Sequence, residues 1–334
     1  MSLELQTYKQ NRINELIKTY NYNVSLLNSA LALNIKNVQL SNNRNKTALI
    51  NALINKNNID IATLKNNLNI AIQKVNAFNP VFNINQSLIK NKKALLIGIN
   101  YLNTQYQLSG CINDTNNMKE LLSSYGFNDF KILTDNTSIK PTKTNILNEL
   151  KNFIVNSKSG DILFFQFSGH GTWTYDKNND ETDGRDEMIV SSDLQYIWDD
   201  ELKNILQNNM KDGVTLIGLF DSCHSGTILD LKYNYLDSSN YNNYSENIKV
   251  SEVSGNVIMI SGCMDTQTSA DSFINNISQG ALTWSFIDCI KKKPNSSWRE
   301  LLKTMRDLLK TKGYSQIPQL STDSFYNIDS KLFI

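Results

Sequence analysis

Ile162-Leu163-Phe164-Phe165-Gln166-Phe167-Ser168-Gly169-His170-Gly171 is an apolar run that ends in small residues around a histidine. A second stretch repeats the pattern, with Val214-Thr215-Leu216-Ile217-Gly218-Leu219-Phe220 leading into Asp221-Ser222-Cys223-His224-Ser225-Gly226. A short apolar run bounded by turn residues reads as a strand buried on both faces, the kind found in a parallel sheet covered by helices. The two turns hold both histidines of the chain, and His170 precedes Cys223 by 53 positions. In an open parallel α/β sheet, residues just past the carboxyl ends of adjacent strands gather in one crevice. His170 and Cys223 are therefore expected to face each other.

That pairing suits a cysteine nucleophile with a histidine base. A thiol with an ordinary pKa of about 8.5 is only a few per cent thiolate at neutral pH, and an imidazole that takes its proton raises the reactive fraction. Glycines around both residues let a peptide approach the main chain, where the N–H groups of Gly171 and Cys223 are candidates for an oxyanion hole. Free cysteine is often simply a buried apolar residue. A core residue has no need of Asp, Ser, His and Gly around it, whereas Cys111, Cys263 and Cys289 have the neighbours of packing residues. His224 adjoins Cys223 in sequence, but consecutive side chains diverge, so His170 is the expected base and His224 a supporting group.

Outward from these runs, residues from 92 onward alternate strand and helix. Strands are expected at Ala94–Ile99, Phe130–Leu133, Ile162–Phe167, Val214–Phe220 and Val257–Ile260, and helices near Asn113–Ser124, Lys143–Asn156, Asp200–Gln207, Ala281–Lys291 and Ser297–Lys312. The fold class is α/β, a mainly parallel sheet with helices on both faces. Lys232–Ser251, rich in Tyr, Asn and Ser, reads as a loop. Residues 1–85 contain no Gly and a single Pro, at position 80. Apolar positions there, such as Ile13, Leu16 and Ile17 or Leu49, Ile50, Leu53 and Ile54, recur at mostly helical spacing. Two to four amphipathic helices with Asn-rich joints are expected, a small helical region of residues 1–88 ahead of a larger domain of residues 89–334. A disordered Asn-rich tail is the alternative.

The overall charge of +1 hides a division. Residues 1–90 hold 10 Lys/Arg and 3 Asp/Glu, a net +7, and residues 91–334 hold 23 and 29, a net −6. The two parts are electrostatically complementary. The four cysteines are widely spaced with no Cys-x-x-Cys pair, which speaks against a structural zinc site and a disulfide framework. The N-terminal residues lack a basic stretch followed by an apolar core, and no apolar run approaches membrane-spanning length. A reducing, cytoplasmic setting is expected, with no membrane or nucleic-acid partner and a monomeric chain.

Ser168–Gly171, Asp221–Gly226 and the His-before-Cys spacing resemble a metacaspase, a member of the caspase-like cysteine peptidases. Caspases carry their histidine about 50 residues before a Gln-Ala-Cys-x-Gly motif; the spacing here agrees, while Asp-Ser-Cys-His-Ser-Gly is the metacaspase form. Lys93–Asn100, Leu108–Asp114, Ser261–Asp265 and Gln316–Leu320 match the same family in order, so the resemblance covers about residues 92–334. It implies a caspase-like fold, with a large-subunit region at about 89–231, a short joint at 232–251 as in type I members, and a small-subunit region at 252–334.

The resemblance also implies a substrate pocket formed by Asp114 and Asp221, with Ser168 alongside and Cys111 nearby. Two carboxylates there would bind Arg or Lys and repel Asp. For Asp114, at an expected helix start, capping is the competing role. The acidic tract Asp176–Glu187 fails as an EF-hand: counted from Asp176 the required sixth-position Gly is Glu181, and counted from Asn179 the twelfth position is Val190. Metacaspases share a different Ca2+ site, and its aspartates correspond to Asp186, Asp199, Asp200 and Asp230.

The function expected is a calcium-activated cysteine endopeptidase that cuts protein or peptide substrates after Arg or Lys. Lys90, Lys92, Lys93, Lys232 and Lys249 are candidate self-cleavage sites. An Asp-cutting caspase and a non-catalytic scaffold or chaperone-type protein are the alternatives. The basic N-terminal region either shields the acidic catalytic part until it is cut away or recruits partners.

Overall fold

The computed structural model of the chain describes residues 3–77, 89–175, 184–223, 225–235, 244–247, 250, 252–262, 271–274, 277–324, 328 and 331–332. It divides into two compact units, Met1–Pro80 and Val81–Ile334. The stretch 78–88, which holds both this division and the expected boundary at residue 88, lies outside the described residues.

The first unit is a helical hairpin of α1 (Leu3–Leu40) and α2 (Lys46–Ala77), the lower end of the two to four helices expected. Cross-contacts fix its antiparallel register: Asn57 donates to Asn28 Oδ1 at 3.1 Å, and Lys9 Nζ donates to the Asn76 carbonyl at 2.7 Å. The Asn-rich joint builds the turn, because Asn43 Oδ1 accepts from the Asn45 N–H at 2.8 Å, a side-chain substitute for a backbone turn bond.

The second unit contains β1 (Lys92–Gly98), α3 (Cys111–Ser124), β2 (Asp129–Thr134), α4 (Lys143–Val155) and β3 (Ile162–Ser168). A meander of β4 (Gly171–Tyr175), β5 (Arg185–Val190) and β6 (Tyr196–Trp198) follows, then α5 (Asp199–Asn209) and β7 (Thr215–Asp221). Next come β8 (Tyr233–Asn234), β9 (Ser245–Glu246), β10 (Asn256–Ser261), β11 (Asp271–Ile274) and β12 (Ile277–Gly280). The chain continues through α6 (Ala281–Lys292), α7 (Trp298–Thr311) and β13 (Gln319–Thr322). The central sheet runs β2-β1-β3-β7-β10-β13-β8-β9. Its first five strands pair in parallel, and β13, β8 and β9 extend it antiparallel.

Strands with continuous apolar runs are buried on both faces, and alternation assigns each side chain to a layer. Ala94, Leu96, Phe164, Ile217 and Leu219 join Met118, Phe286, Trp298 and Met305 on the α3, α6 and α7 side. Leu95, Ile97, Phe165, Leu216 and Phe220 join Ile146, Leu150, Leu202 and Leu206 on the α4 and α5 side. Caps set where helices begin: Thr142 accepts from the Asn145 N–H at the start of α4, and Ser297 and Glu300 form a reciprocal capping box on α7.

One expectation is corrected. Residues 232–251 are not simply a loop, since β8 and β9 lie within them and add to the sheet edge through backbone bonds that composition does not signal. The stretch after His170 is a three-stranded sheet of its own, β4-β5-β6. Among the described residues no helix is long and apolar enough to cross a membrane.

One buried ion pair ties distant segments together. Lys203 Nζ on α5 lies 3.3 Å from Asp323 Oδ1 just past β13 and donates to the Asp230 carbonyl at 2.8 Å. Asp323 Oδ2 accepts from the Val253 N–H at 2.7 Å. The pair thus holds the chain on both sides of residues 232–251. Removing one partner leaves a buried charge uncompensated, so Lys203→Met is expected to cost about 3–5 kcal/mol, while the double variant Lys203→Met/Asp323→Leu should recover part of that loss. Chemical denaturation midpoints of the three proteins check this.

Candidate functional site

The parallel register of β3 and β7 places the two turns side by side. Ser168 is the partner of Asp221, the last residue of each strand, so His170 and Cys223 each lie two residues beyond a paired position. The Gly169 N–H reaches the Asp221 carbonyl at 3.3 Å. Gly171 lies so close that a Cβ built on it would stand 2.0 Å from the Cys223 carbonyl oxygen, so no other residue fits without moving the Cys223 backbone. His224 lies outside the described residues.

His170 is held from three directions. Its Nε2 is 2.8 Å from the Tyr106 carbonyl oxygen. A carbonyl only accepts, so this bond requires the proton on Nε2 and leaves Nδ1 unprotonated in the neutral ring. The His170 N–H donates to the Tyr101 hydroxyl at 2.8 Å, and its carbonyl accepts from the Val190 N–H at 2.9 Å. The imidazole is thus oriented by a backbone carbonyl, the role a carboxylate fills in other base-nucleophile systems.

Among the described cysteines, Cys223 alone is partly exposed; Cys111 and Cys289 are buried. Burial pushes the Cys289 thiol up to about 12, which removes it as a nucleophile at neutral pH. Cys263 lies outside the described residues.

Asp114 and Asp221 are buried, and they converge. A Cβ on Gly280 would stand 2.0 Å from Asp221 Oδ2 and 2.8 Å from Asp114 Oδ2. Asp114 sits in the first turn of α3 but does not cap it: Gly110 is the N-cap, with no side-chain cap bond. Its oxygens instead accept from Ser168 Oγ at 2.5 Å and from the Gly280 N–H at 2.9 Å. Asp221 Oδ2 accepts from the Thr283 N–H at 2.8 Å. The amino end of α6, which starts after Gly280, is served by carboxylates from two other elements, a placement its dipole favours. Cys111, the first residue of α3, is buried three residues before Asp114.

A second acidic group lies at the start of α5. Carboxylate oxygens of Asp199, Asp200 and Asp230 lie within 4.8 Å of one another, Asp199 and Asp230 buried and Asp200 exposed. Asp186, on β5, is not one of this group. Asp199 also has structural partners, its Oδ2 accepting from the Glu187 N–H at 2.5 Å and its Oδ1 from the Asp200 N–H at 2.8 Å. Glu187 Oε2 then accepts from the Thr227 N–H at 2.9 Å and from Thr227 Oγ1 at 2.6 Å, and the Thr227 carbonyl accepts from the Asp230 N–H at 2.6 Å. The acidic tract at 176–183 is outside the described residues.

Of the candidate cleavage lysines, Lys90 is exposed and its N–H donates to the Gly160 carbonyl at 3.0 Å. Lys92 and Lys93 are the first residues of β1, with Lys92 Nζ on the Tyr125 carbonyl at 2.7 Å and Lys93 Nζ 3.9 Å from Asp161. Lys232 is ion-paired with Glu252 at 2.7 Å, and Lys249 lies outside the described residues. Tyr101, the Tyr106 carbonyl, Glu187, Thr227 and Gly280 were not singled out from sequence. Only Gly280 left a signal there, as a glycine directly before a helical pattern.

This arrangement of a strand-end histidine, an adjacent partly exposed cysteine and a helix-flanked, mainly parallel sheet defines a caspase-like cysteine peptidase. The pattern "Metacaspase, peptidase C14 domain" matches residues 92–232. A Metacaspase-1 of Schizosaccharomyces pombe is 38% identical over 69% of this chain and 67% of its own length. A Metacaspase-1 of Ajellomyces capsulatus is 38% identical over 71% of this chain and 81% of its own. Among solved structures, a protein of Geobacter sulfurreducens superposes with a TM-score of 0.55 at 24% identity, covering 73% of this chain and 98% of that one, and shares the fold. The chain belongs to the metacaspase family.

The exposure of the thiols yields a direct expectation. Brief treatment of the native protein with iodoacetamide at neutral pH, followed by peptide mass spectrometry, should label Cys223 well before Cys111 or Cys289. Labelling of either buried cysteine first would contradict the site.

Proposed function

We propose that the protein is a calcium-activated cysteine endopeptidase that cuts after Arg or Lys and processes itself. The observation that carries the specificity is the meeting of Asp114 and Asp221 at Gly280, beside the strand ends that lead to His170 and Cys223. Two carboxylates this near each other repel, and a guanidinium or ammonium group between them relieves that repulsion while forming charge-assisted hydrogen bonds. The same pair would reject the aspartate that an Asp-cutting caspase binds. A non-catalytic scaffold has no need of an imidazole fixed through Nε2 past one strand end and a partly exposed thiol past the neighbouring one.

In this reading Nδ1 of His170 takes the thiol proton and the Cys223 thiolate attacks the scissile carbonyl. The N–H groups of Gly171 and Cys223 receive the developing oxyanion, and the imidazolium then protonates the leaving amine. Water resolves the acyl-enzyme with His170 as base. Among the cleavage sites, Lys90 is exposed, and Lys232 lies in the joint.

The oxygen donors of Asp199, Asp200 and Asp230 fit a hard cation such as Ca2+, which takes carboxylate ligands. A bound Ca2+ would supply local charge neutralisation. The bonds from Asp199 through Glu187 to Thr227, four residues past Cys223, support an influence on the nucleophile loop.

Structural capping and cation binding by Asp221 separate cleanly in Asp221→Asn, because an amide oxygen can still accept from Thr283. The expected result is an unfolding midpoint near the parent's together with a loss of about 30-fold or more in kcat/KM on Arg and Lys peptides, the cost of an unpaired buried cation. Parent-like cleavage of basic peptides by that variant would refute the pocket. Matched Arg, Lys and Asp peptides, with Cys223→Ala as the blank, identify the reaction.

Calcium should raise the rate, and Asp200→Asn, at the exposed member of the cluster, should weaken both activation and terbium luminescence. Full parent activity in excess chelator would exclude the calcium part.

A further inference from the structure

Tyr101 is buried, with 1% of its surface exposed, and its backbone is left-handed at φ 49°. A bulky aromatic residue adopts that conformation only where its surroundings compel it. The compulsion comes from Asp135, just past β2. Its two carboxylate oxygens accept from the Asn100 N–H at 2.6 Å and the Leu102 N–H at 3.3 Å, the groups on either side of Tyr101. The Tyr101 carbonyl closes the following turn, accepting from Thr104 Oγ1 at 2.8 Å.

The side chain so fixed reaches His170 in two ways. Its hydroxyl accepts from the His170 N–H at 2.8 Å and donates to the Val190 carbonyl at 2.7 Å. Its ring lies against the imidazole, centroids 4.7 Å apart and tilted by 38°. Burial holds the phenol well above its ordinary pKa, so it remains protonated and able to donate through any working pH. The same loop, five residues on, supplies the Tyr106 carbonyl that fixes Nε2.

We propose that Tyr101 is the positioning residue of the base, holding both the backbone and the ring plane of His170 so that Nδ1 points to Cys223. The phenol touches no reacting atom and acts through the imidazole. The inference rests on the reading of His170 as base to Cys223, and it adds a requirement: the loop from Asn100 to Tyr106 must be in place for the thiol to be activated.

The test uses the full-length protein and two measurements, the rate of Cys223 alkylation by iodoacetamide against pH and the steady-state kinetics on a basic peptide. In the parent, alkylation should rise with an inflection below that of an ordinary thiol, at about 8.5. Tyr101→Phe keeps the ring but loses both hydroxyl bonds. Its inflection should move up toward the ordinary value, and kcat should fall about 10- to 100-fold with KM within about 2-fold, as expected when the geometry of a general base is lost. Asp135→Asn should give a smaller shift in the same direction, and it decides the matter if Tyr101→Phe fails to fold. A Tyr101→Phe protein that is less stable yet keeps the parent inflection and kcat overturns the proposal. A parent inflection already at the ordinary value, or undiminished turnover by Cys223→Ala, would instead count against the Cys223–His170 reading itself.

Discussion

The pairing of β3 with β7, in parallel and with Ser168 opposite Asp221, is the constraint on which the rest of the site depends. Parallel neighbours end at the same edge of a sheet, so whatever follows them shares one crevice. From that register alone, Ser168 and Asp221 become neighbours at the sheet edge, and His170 and Cys223 become neighbours two residues further on. Shifting one strand by a single residue would turn its side chains to the other face and undo both pairings. The register is protected by burial on both faces, where Phe164, Phe165, Ile217 and Phe220 are all enclosed.

The amino end of α6 is the second convergence. A helix start exposes N–H groups that need acceptors, and here two of them are met by carboxylates from β7 and α3 rather than by a local cap. The packing that satisfies α6 therefore also brings Asp114 and Asp221 together. Gly280 is what permits the approach, since a side chain there would occupy the space of both carboxylates. Stability and charge are coupled at this point, which is why an isosteric amide separates them and a truncation to Ala does not.

Much of this was legible in the chain. The five expected strands and five expected helices all occur, with ends displaced by a residue or two, because a continuous apolar run of strand length and a 3.6-residue period each leave a strong mark. The β4-β5-β6 meander left a weak one: Gly171–Tyr175 carries Gly and Thr among its aromatics, and β6 is only three residues long. β8 and β9, two residues each, exist through the edge they join and not through their own preference. In the candidate site, Cys223 and His170 stood out because a cysteine and a histidine are rare just past strand ends, whereas the pairing of Asp114 with Asp221 came from the family resemblance. Tyr101 and the Tyr106 carbonyl were not readable, since a backbone oxygen has no residue signature and a tyrosine in a loop has many roles. Glu187 ends the acidic tract that begins at Asp176, yet it is fully buried on β5, and only tertiary packing shows it reaching Thr227.

The two acidic groups are held by different bonds. Asp114 and Asp221 are fixed by Ser168, Gly280 and Thr283, on the side of the sheet edge where α3 and α6 begin. Asp199 and Asp230 are joined to the loop that follows Cys223 through Glu187 and Thr227, and to the chain around residues 232–251 through Lys203 and Asp323. In the proposed reading, a cation at the second group would alter the loop carrying Cys223 without disturbing the bonds that hold the pocket. Loss of charge in the pocket would likewise leave the loop intact. In that reading activation and specificity are separable, each with its own set of hydrogen bonds, and the His170 imidazole is governed by a third set that begins at Asp135.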